Sequence, residues 1–357
     1  MLDTSLLLNY INLPQLAAVF LLVLALQLIL ISNRGARYMG MLIPTYKAPQ
    51  KIHEGSVSRL GGLCMLLGIV SLSALSENEG IRDHITLFLF AFSPLAALTL
   101  LEDLHNPMSP KVRLATMLGV SWLILSWTGI SLPVLDTPYL GDILAEPTMR
   151  SLFYAVCLTA LMNGVNFVDG TNGNFALMTI TMMISLAFFG TTVGDMEFVA
   201  MVLLCTIPLV AFTTINFPWG RIFAGDLGAY MYGGLVGFFI LVFFGRHTDI
   251  SAWNAVLITF YPIAELVYSI IRKVLNRQSP FQPDRGHLHI KIFTILHRGC
   301  KKPRLANNMV TLFLGIFWLV PSVILPWVYQ SHTLIAIVLA FLTICFITVN
   351  RAIPRFD

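Results

Sequence analysis

The sequence predicts an all-α, polytopic membrane protein with about eleven transmembrane helices, its N-terminus periplasmic and its C-terminus cytoplasmic. Three observations carry this expectation. Of 357 residues, 57% are hydrophobic and only 11% charged, where a soluble domain carries about 25% charged residues. The apolar residues fall in runs near the length a bilayer core demands, about 20 helical residues, and backbone groups that cannot stay unpaired in lipid make those runs helices. Lysine and arginine are also divided very unequally between alternate connecting segments.

Taken in order, the runs are 13–32, 60–77, 85–101, 113–130, 151–167, 173–190, 197–215, 227–245, 252–273, 307–329 and 333–350. The opening stretch MLDTSLLLNYINLPQ lacks a basic n-region and a small-residue cleavage site, so the first run is expected to remain as a span rather than be removed as a signal. With the N-terminus outside, 19 of the 22 Lys and Arg residues fall on inside segments and three, Arg82, Arg150 and Arg246, on outside ones. The positive-inside rule selects that orientation, and one span more or fewer would scramble the split. Five scattered cysteines with no CxxC pair give no disulfide framework. The expectation is one integral-membrane domain over 1–357 with catalytic loops at 33–59, 102–112, 166–172, 216–226 and 274–306.

On this topology the patterned polar stretches share one face. KAPQKIHEGSVSRLGG (47–62) enters the second span from inside. LEDLHNPMSPKVR (101–113) joins spans three and four. NGVNFVDGTNG (163–173) ends span five, NFPWGRIFAGDLGAY (216–230) precedes span eight, and SPFQPDRGHLHIK (279–291) follows span nine. The outside segments are mixed and unpatterned. A cluster of carboxylates, amides, His, Lys and Gly at the ends of several helices suits a reaction between a soluble molecule and a lipid. A transporter would place its polar groups near the midplane on broken helices; here Glu265 is the exception among spans nearly free of ionisable residues.

Each stretch has a plain and a chemical reading. Asp226, between Gly225 and Gly228, is a helix N-cap or a Mg²⁺ ligand beside a phosphate-binding helix start. Glu102 and Asp103, followed by Lys111 and Arg113, are an interfacial charged loop or an acid pair near phosphates. Asp103, Asp169 and Asp226 together supply the oxygen chemistry Mg²⁺ prefers. Asn163, Asn166 and Asp169 are spaced by three and share one broad helix face. His287 and His289, with His297 and Cys300 beyond, fit no standard zinc spacing; beside Arg285 they suit diphosphate contact. Lys51 and His53 are a juxtamembrane basic stretch of the kind that attracts anionic lipid.

In order, KIHEG and RLGG, EDL, NGVNFVDGTNG, GDLGAY and DRGHLH resemble the polyprenyl-phosphate N-acetylhexosamine-1-phosphate transferases, the WecA/MraY superfamily, over nearly the whole chain. The resemblance implies a Mg²⁺-dependent enzyme, with Mn²⁺ as the substitute ion. It moves a HexNAc-1-phosphate of the GlcNAc type from a UDP-N-acetylhexosamine to undecaprenyl phosphate, releasing UMP, and so begins O-antigen or another surface polysaccharide. It implies the bacterial inner membrane, a cytoplasmic active site, contact with membrane lipids, no nucleic acid, and a homodimer. By motif match, Asp226 and Asp169 hold the metal; Asp103, Glu102, Asp169, His287 and His289 are catalytic. Lys51, His53, Lys111, Arg113, Asn163, Asn166, Asn216, Phe223 and Arg285 bind substrate, with Phe223 a stacking partner for uracil. The peptidoglycan branch, which transfers phospho-MurNAc-pentapeptide, is the alternative; it typically carries three histidines and GD(T/S)GS where this chain has GDLGAY and HLH before Ile290.

Overall fold

The computed structural model describes residues 7–32, 57–104, 109–135, 137, 139–282, 286–300 and 302–354, with the side chains of 103 and 104 left out. Among the described residues fourteen helices follow in order: α1 Leu13–Ile31, α2 Gly61–Leu75, α3 Glu79–Leu104, α4 Pro110–Trp127, α5 Leu140–Leu144, α6 Pro147–Val168, α7 Asn174–Val193, α8 Met196–Asn216, α9 Gly225–Arg246, α10 Trp253–Ile258, α11 Phe260–Leu275, α12 Leu288–Cys300, α13 Pro303–Val328 and α14 His332–Ala352. Among the described residues there is no strand, only one isolated bridge between Ser58 and Ile222. Of the helices among the described residues, eight are long and apolar enough to cross a membrane: α1, α3, α6, α7, α8, α9, α13 and α14. The protein is therefore an all-α, multi-pass membrane protein.

Every predicted run coincides with a helix, and three depart from expectation in instructive ways. The α2 helix has 15 residues, about 22 Å at 1.5 Å per residue, shorter than a bilayer core. The α3 helix starts at Glu79 rather than 85, because its first turn carries Glu79, Arg82 and Asp83, which hydropathy alone reads as loop. The expected single run 252–273 is two helices. Pro262 has no N–H to give to the carbonyl of Ile258, so the helical ladder stops there, α10 ends at Ile258 with Thr259 as its cap, and α11 begins anew at Phe260.

The core is built around α9, 94% buried over its most apolar stretch. It packs against α2, α3, α6 and α7. Close approach is made by glycine: a Cβ on Gly62 of α2 would lie 2.3 Å from the backbone nitrogen of Gly228 on α9. That backbone-to-backbone crossing, the small-residue contact that membrane helices use in place of a hydrophobic driving force, brings the start of α2 beside Asp226. The α1 and α14 helices lie at the periphery, 17% buried each, and turn Leu, Ile and Phe side chains outward.

Candidate functional site

The ends of α2, α3, α4, α6 and α9 meet at one end of the bundle. The segment before α2 is zipped to the segment before α9: Phe223 N donates to the Ser58 carbonyl, Gly61 N to the Phe223 carbonyl and Gly62 N to the Ala224 carbonyl, each at 2.9 Å. This pairing sets Arg59 next to Asp226, which lies in the first turn of α9.

Asp226 is the hub. Its Oδ1 accepts from Asn166 Nδ2 at 3.1 Å and lies 3.4 Å from Arg59 Nη2. Its Oδ2 lies 3.1 Å from Arg113 Nη1. Arg113, at the start of α4, also pairs with Glu102 at the end of α3 and donates to the Tyr230 hydroxyl at 3.2 Å. One guanidinium thus ties α3, α4 and α9 together, a role for which its planar fork of donors is suited and a lysine is not. Tyr230 stands four residues after Asp226, one helical turn on.

Asp169 caps the C-terminus of α6. Burial pushes its carboxyl up to about 7; the Arg59 charge opposes that rise and the Asp226 charge adds to it. A carboxylate held near a second one, with guanidinium groups on the flanks, offers acidic oxygens that a hard divalent cation would neutralise and basic groups that suit a diphosphate. The remaining asparagines of the stretch 163–173 do other work. Asn163 lies one turn deeper and donates to the Thr159 carbonyl and the Met117 sulfur. Asn172 ties the loop to α13: its N–H donates to Asn307 Oδ1 at 2.6 Å, its amide to Asn308 Oδ1 at 3.0 Å, and its carbonyl accepts from Thr311. Gly173, with φ +78°, takes a conformation that favours glycine and donates to Asn216 Oδ1 at 2.7 Å.

Asn216 is buried, and its amide also donates to the Ile222 carbonyl at 2.8 Å. Both ends of this amide therefore serve backbone, and it braces two site loops. Phe223 is half-buried and Lys111 exposed, both at the same end as Asp226. His287 and His289 stack at 5.7 Å between ring centroids, and Phe167 meets His287 edge-on at 5.2 Å. His289 lies against the acidic loop: a Cβ on Gly170 would sit 2.3 Å from its Nε2. Burial lowers the His289 pKa to about 4, with His287 adding to the effect. The structure therefore brings together Glu102, Arg113, Asn166, Asp169, Asp226 and the two histidines. Lys51, His53, Arg285 and the side chain of Asp103 lie outside the described residues.

Sequence reasoning counted Arg59 only as a basic residue and did not single out Tyr230, whose signal was its i+4 spacing from Asp226. Asn307 and Asn308 open a span more than a hundred residues from the loop they hold and carry no local signal. Among the described residues no three His, Cys, Asp or Glu side chains gather to hold a metal. His297 stacks on Phe293 instead, and the Cys300 thiol donates to the Lys302 carbonyl.

Residues 85–244 match glycosyl transferase family 4. A Bacillus subtilis protein named "Probable undecaprenyl-phosphate N-acetylglucosaminyl 1-phosphate transferase" is 24% identical over 302 residues, 83% of this chain and 81% of its own. The undecaprenyl-phosphate alpha-N-acetylglucosaminyl 1-phosphate transferase of Thermotoga maritima is 25% identical over 240 residues, 67% of this chain and 69% of its own. The decaprenyl-phosphate N-acetylglucosaminephosphotransferase of Mycobacterium leprae is 23% identical over 281 residues, 71% and 70% of the two chains.

Proposed function

We propose, from the chain's match to glycosyl transferase family 4 over residues 85–244 and its likeness to the relatives above, that it transfers N-acetylhexosamine-1-phosphate from a UDP-sugar to undecaprenyl phosphate and releases UMP. The observation that carries this reading is the Asp226 hub, where Asn166, Arg59 and Arg113 converge on one carboxylate at a helix start with Asp169 close by. GlcNAc is the first sugar to test, since the relatives are named for it. The product would begin an O-antigen or another surface polysaccharide. GDLGAY and HLH, together with those names, favour this branch over peptidoglycan synthesis.

The donor set fits Mg²⁺. That ion binds through one or two carboxylates plus substrate phosphates rather than in an all-protein cage, which agrees with two neighbouring aspartates and no larger cluster among the described residues. Asp226 and Asp169 would hold it, and when bound it would supply charge neutralisation at the diphosphate. The reaction itself asks little of a base. An oxygen of the lipid phosphate, already anionic near neutral pH, attacks the phosphorus attached to the sugar. The bond from that phosphorus to the bridging oxygen breaks, and UMP departs with the oxygen. One phosphoanhydride replaces another, so catalysis rests on positioning and electrostatics. Arg113 and Lys111 would draw the phosphates in, and Asn166 would orient Asp226. The loops would face the cytoplasm, the side that the distribution of Lys and Arg favours, of a bacterial inner membrane.

Purified protein in detergent, given undecaprenyl phosphate, Mg²⁺ and a panel of UDP-N-acetylhexosamines and UDP-MurNAc-pentapeptide, tests the reading through UMP release. Release with one amino sugar, lost in EDTA, is expected. Release with the pentapeptide donor alone would move the chain to the other branch. Silence with every donor from a folded sample would overturn the proposal.

A further inference from the structure

The histidine motif is held from behind by α11. Along that helix Glu265, Ser269 and Lys273 recur every four residues, on one face, and all three are buried. Glu265 is 2% exposed. Its Oε1 accepts from His287 Nδ1 at 3.1 Å and from Leu288 N at 3.0 Å. Two turns on, Lys273 Nζ donates to the carbonyls of Pro280 at 3.0 Å and Gln282 at 2.6 Å. Between them Arg272 donates to Ser269 Oγ, and its guanidinium lies so close to Gly286 that a Cβ there would meet Nη1 at 2.0 Å. One helix thus fixes the chain on both sides of the loop that carries the histidines.

A charged acceptor buried at this depth is costly unless it is paired and hydrogen-bonded, and Glu265 takes both contacts from the histidine loop. A carboxylate has no proton to donate, so the ring nitrogen facing it must carry the hydrogen. The Nε2 atom of neutral His287 is then its acceptor, the nitrogen left for chemistry. We propose that Glu265 is the positioning residue of the histidine motif: it acts through His287, fixing the Nδ1–H tautomer and the ring orientation against Phe167, and so makes Nε2 the working nitrogen. Partners of this kind are worth on the order of 10- to 100-fold when they orient a ligating histidine.

The kinetic arm of the test rests on the transferase reading; the spectroscopic arm does not. In the full-length protein with ¹⁵N-labelled histidine, the His287 resonances, assigned by difference from His287→Asn, are expected to show protonated Nδ1 in the neutral ring. In Glu265→Gln, whose amide can donate as well as accept, the other tautomer is expected to appear. UMP release by Glu265→Gln should fall about 10- to 100-fold, chiefly in kcat, with partial recovery in Glu265→Asp. The double variant Glu265→Gln/His287→Asn should be no slower than His287→Asn alone, because a residue acting through another adds nothing once that other is gone. A wild-type Nε2–H tautomer, or a Glu265→Gln loss that adds in full to that of His287→Asn, would overturn the proposal. Should Glu265→Gln fail to fold, the wild-type tautomer and Glu265→Asp decide. Should the wild type release no UMP with any donor, the transferase reading fails while the tautomer still judges the pairing.

Discussion

The two ends of the helix bundle each carry a knot of charge, and they are built for different purposes. At the end away from the candidate site, Asp195 caps the N-terminus of α8 by accepting from Phe198 N at 3.0 Å. It accepts from His247 Nε2 at 3.0 Å and has Arg246 4.0 Å away. Arg246 in turn donates to His84 Nε2 at 2.7 Å, and His84 Nδ1 donates to the Gly80 carbonyl at 2.7 Å. One carboxylate is matched there by a helix terminus and two basic side chains, and the chain of hydrogen bonds closes on the backbone. At the site end, two carboxylates stand near one another, the proton affinity of Asp169 is raised to about 7, and Arg113 is shared between Glu102, Asp226 and Tyr230. A clasp satisfies its charges; a site keeps like charges together and divides its cations among them.

Substitutions at the two ends should therefore separate activity from stability. Asp226→Asn keeps the shape and the hydrogen bond from Asn166 but removes the charge on which two arginines converge. UMP release should fall about 1,000-fold, the scale set by removing one electrostatic contact to a developing or transferred charge, while a thermal-shift measurement shows the protein still folded. Arg113→Lys retains charge but cannot bridge three acceptors on two neighbouring helices. A loss of about 10- to 100-fold is expected, on the order of the 1.5–3 kcal/mol of a hydrogen bond to a charged group, and steady-state kinetics would read it. Tyr230→Phe removes one acceptor for Arg113 and should cost about 1 kcal/mol, roughly a fivefold change in rate that vanishes in the Arg113→Lys background. The smallest effect on catalysis is expected at the other end. Asp195→Asn should leave UMP release unchanged and lower the melting temperature by a few degrees, because an amide can still cap α8 but no longer carries charge for His247 and Arg246.

How much of this could be read from the sequence depends on the range of the interaction. The α14 helix, expected over 333–350, spans His332–Ala352, because hydropathy is a local signal and strong in this chain. The break at Thr259 was hidden because apolar residues continue through it; only Pro262 marked the place. The site divides in the same way. Asp226, Asn166, Asp169, Glu102 and Arg113 were visible because each sits in a polar stretch at the end of an apolar run, where an expected span makes polarity conspicuous. The brace Asn172–Asn307–Asn308 joins segments that are more than a hundred residues apart, and nothing in either segment announces the other. Asn216 was expected near the nucleotide from the family resemblance; that its amide also holds Gly173 and Ile222 only the fold shows. Glu265 stood out as a lone carboxylate in an apolar run, and its partner His287 emerged only when α11 was seen to pass behind the histidine loop.

The most direct test of the central claim follows labelled N-acetylglucosamine-1-phosphate from UDP-N-acetylglucosamine into the lipid phase containing undecaprenyl phosphate. The wild type, Asp226→Asn and Asp195→Asn would be compared side by side in Mg²⁺ and in EDTA. The account predicts Mg²⁺-dependent transfer by the wild type and by Asp195→Asn, with equal release of UMP, and about 1,000-fold less from Asp226→Asn. Transfer that survives Asp226→Asn, or that falls as far in Asp195→Asn, would contradict it.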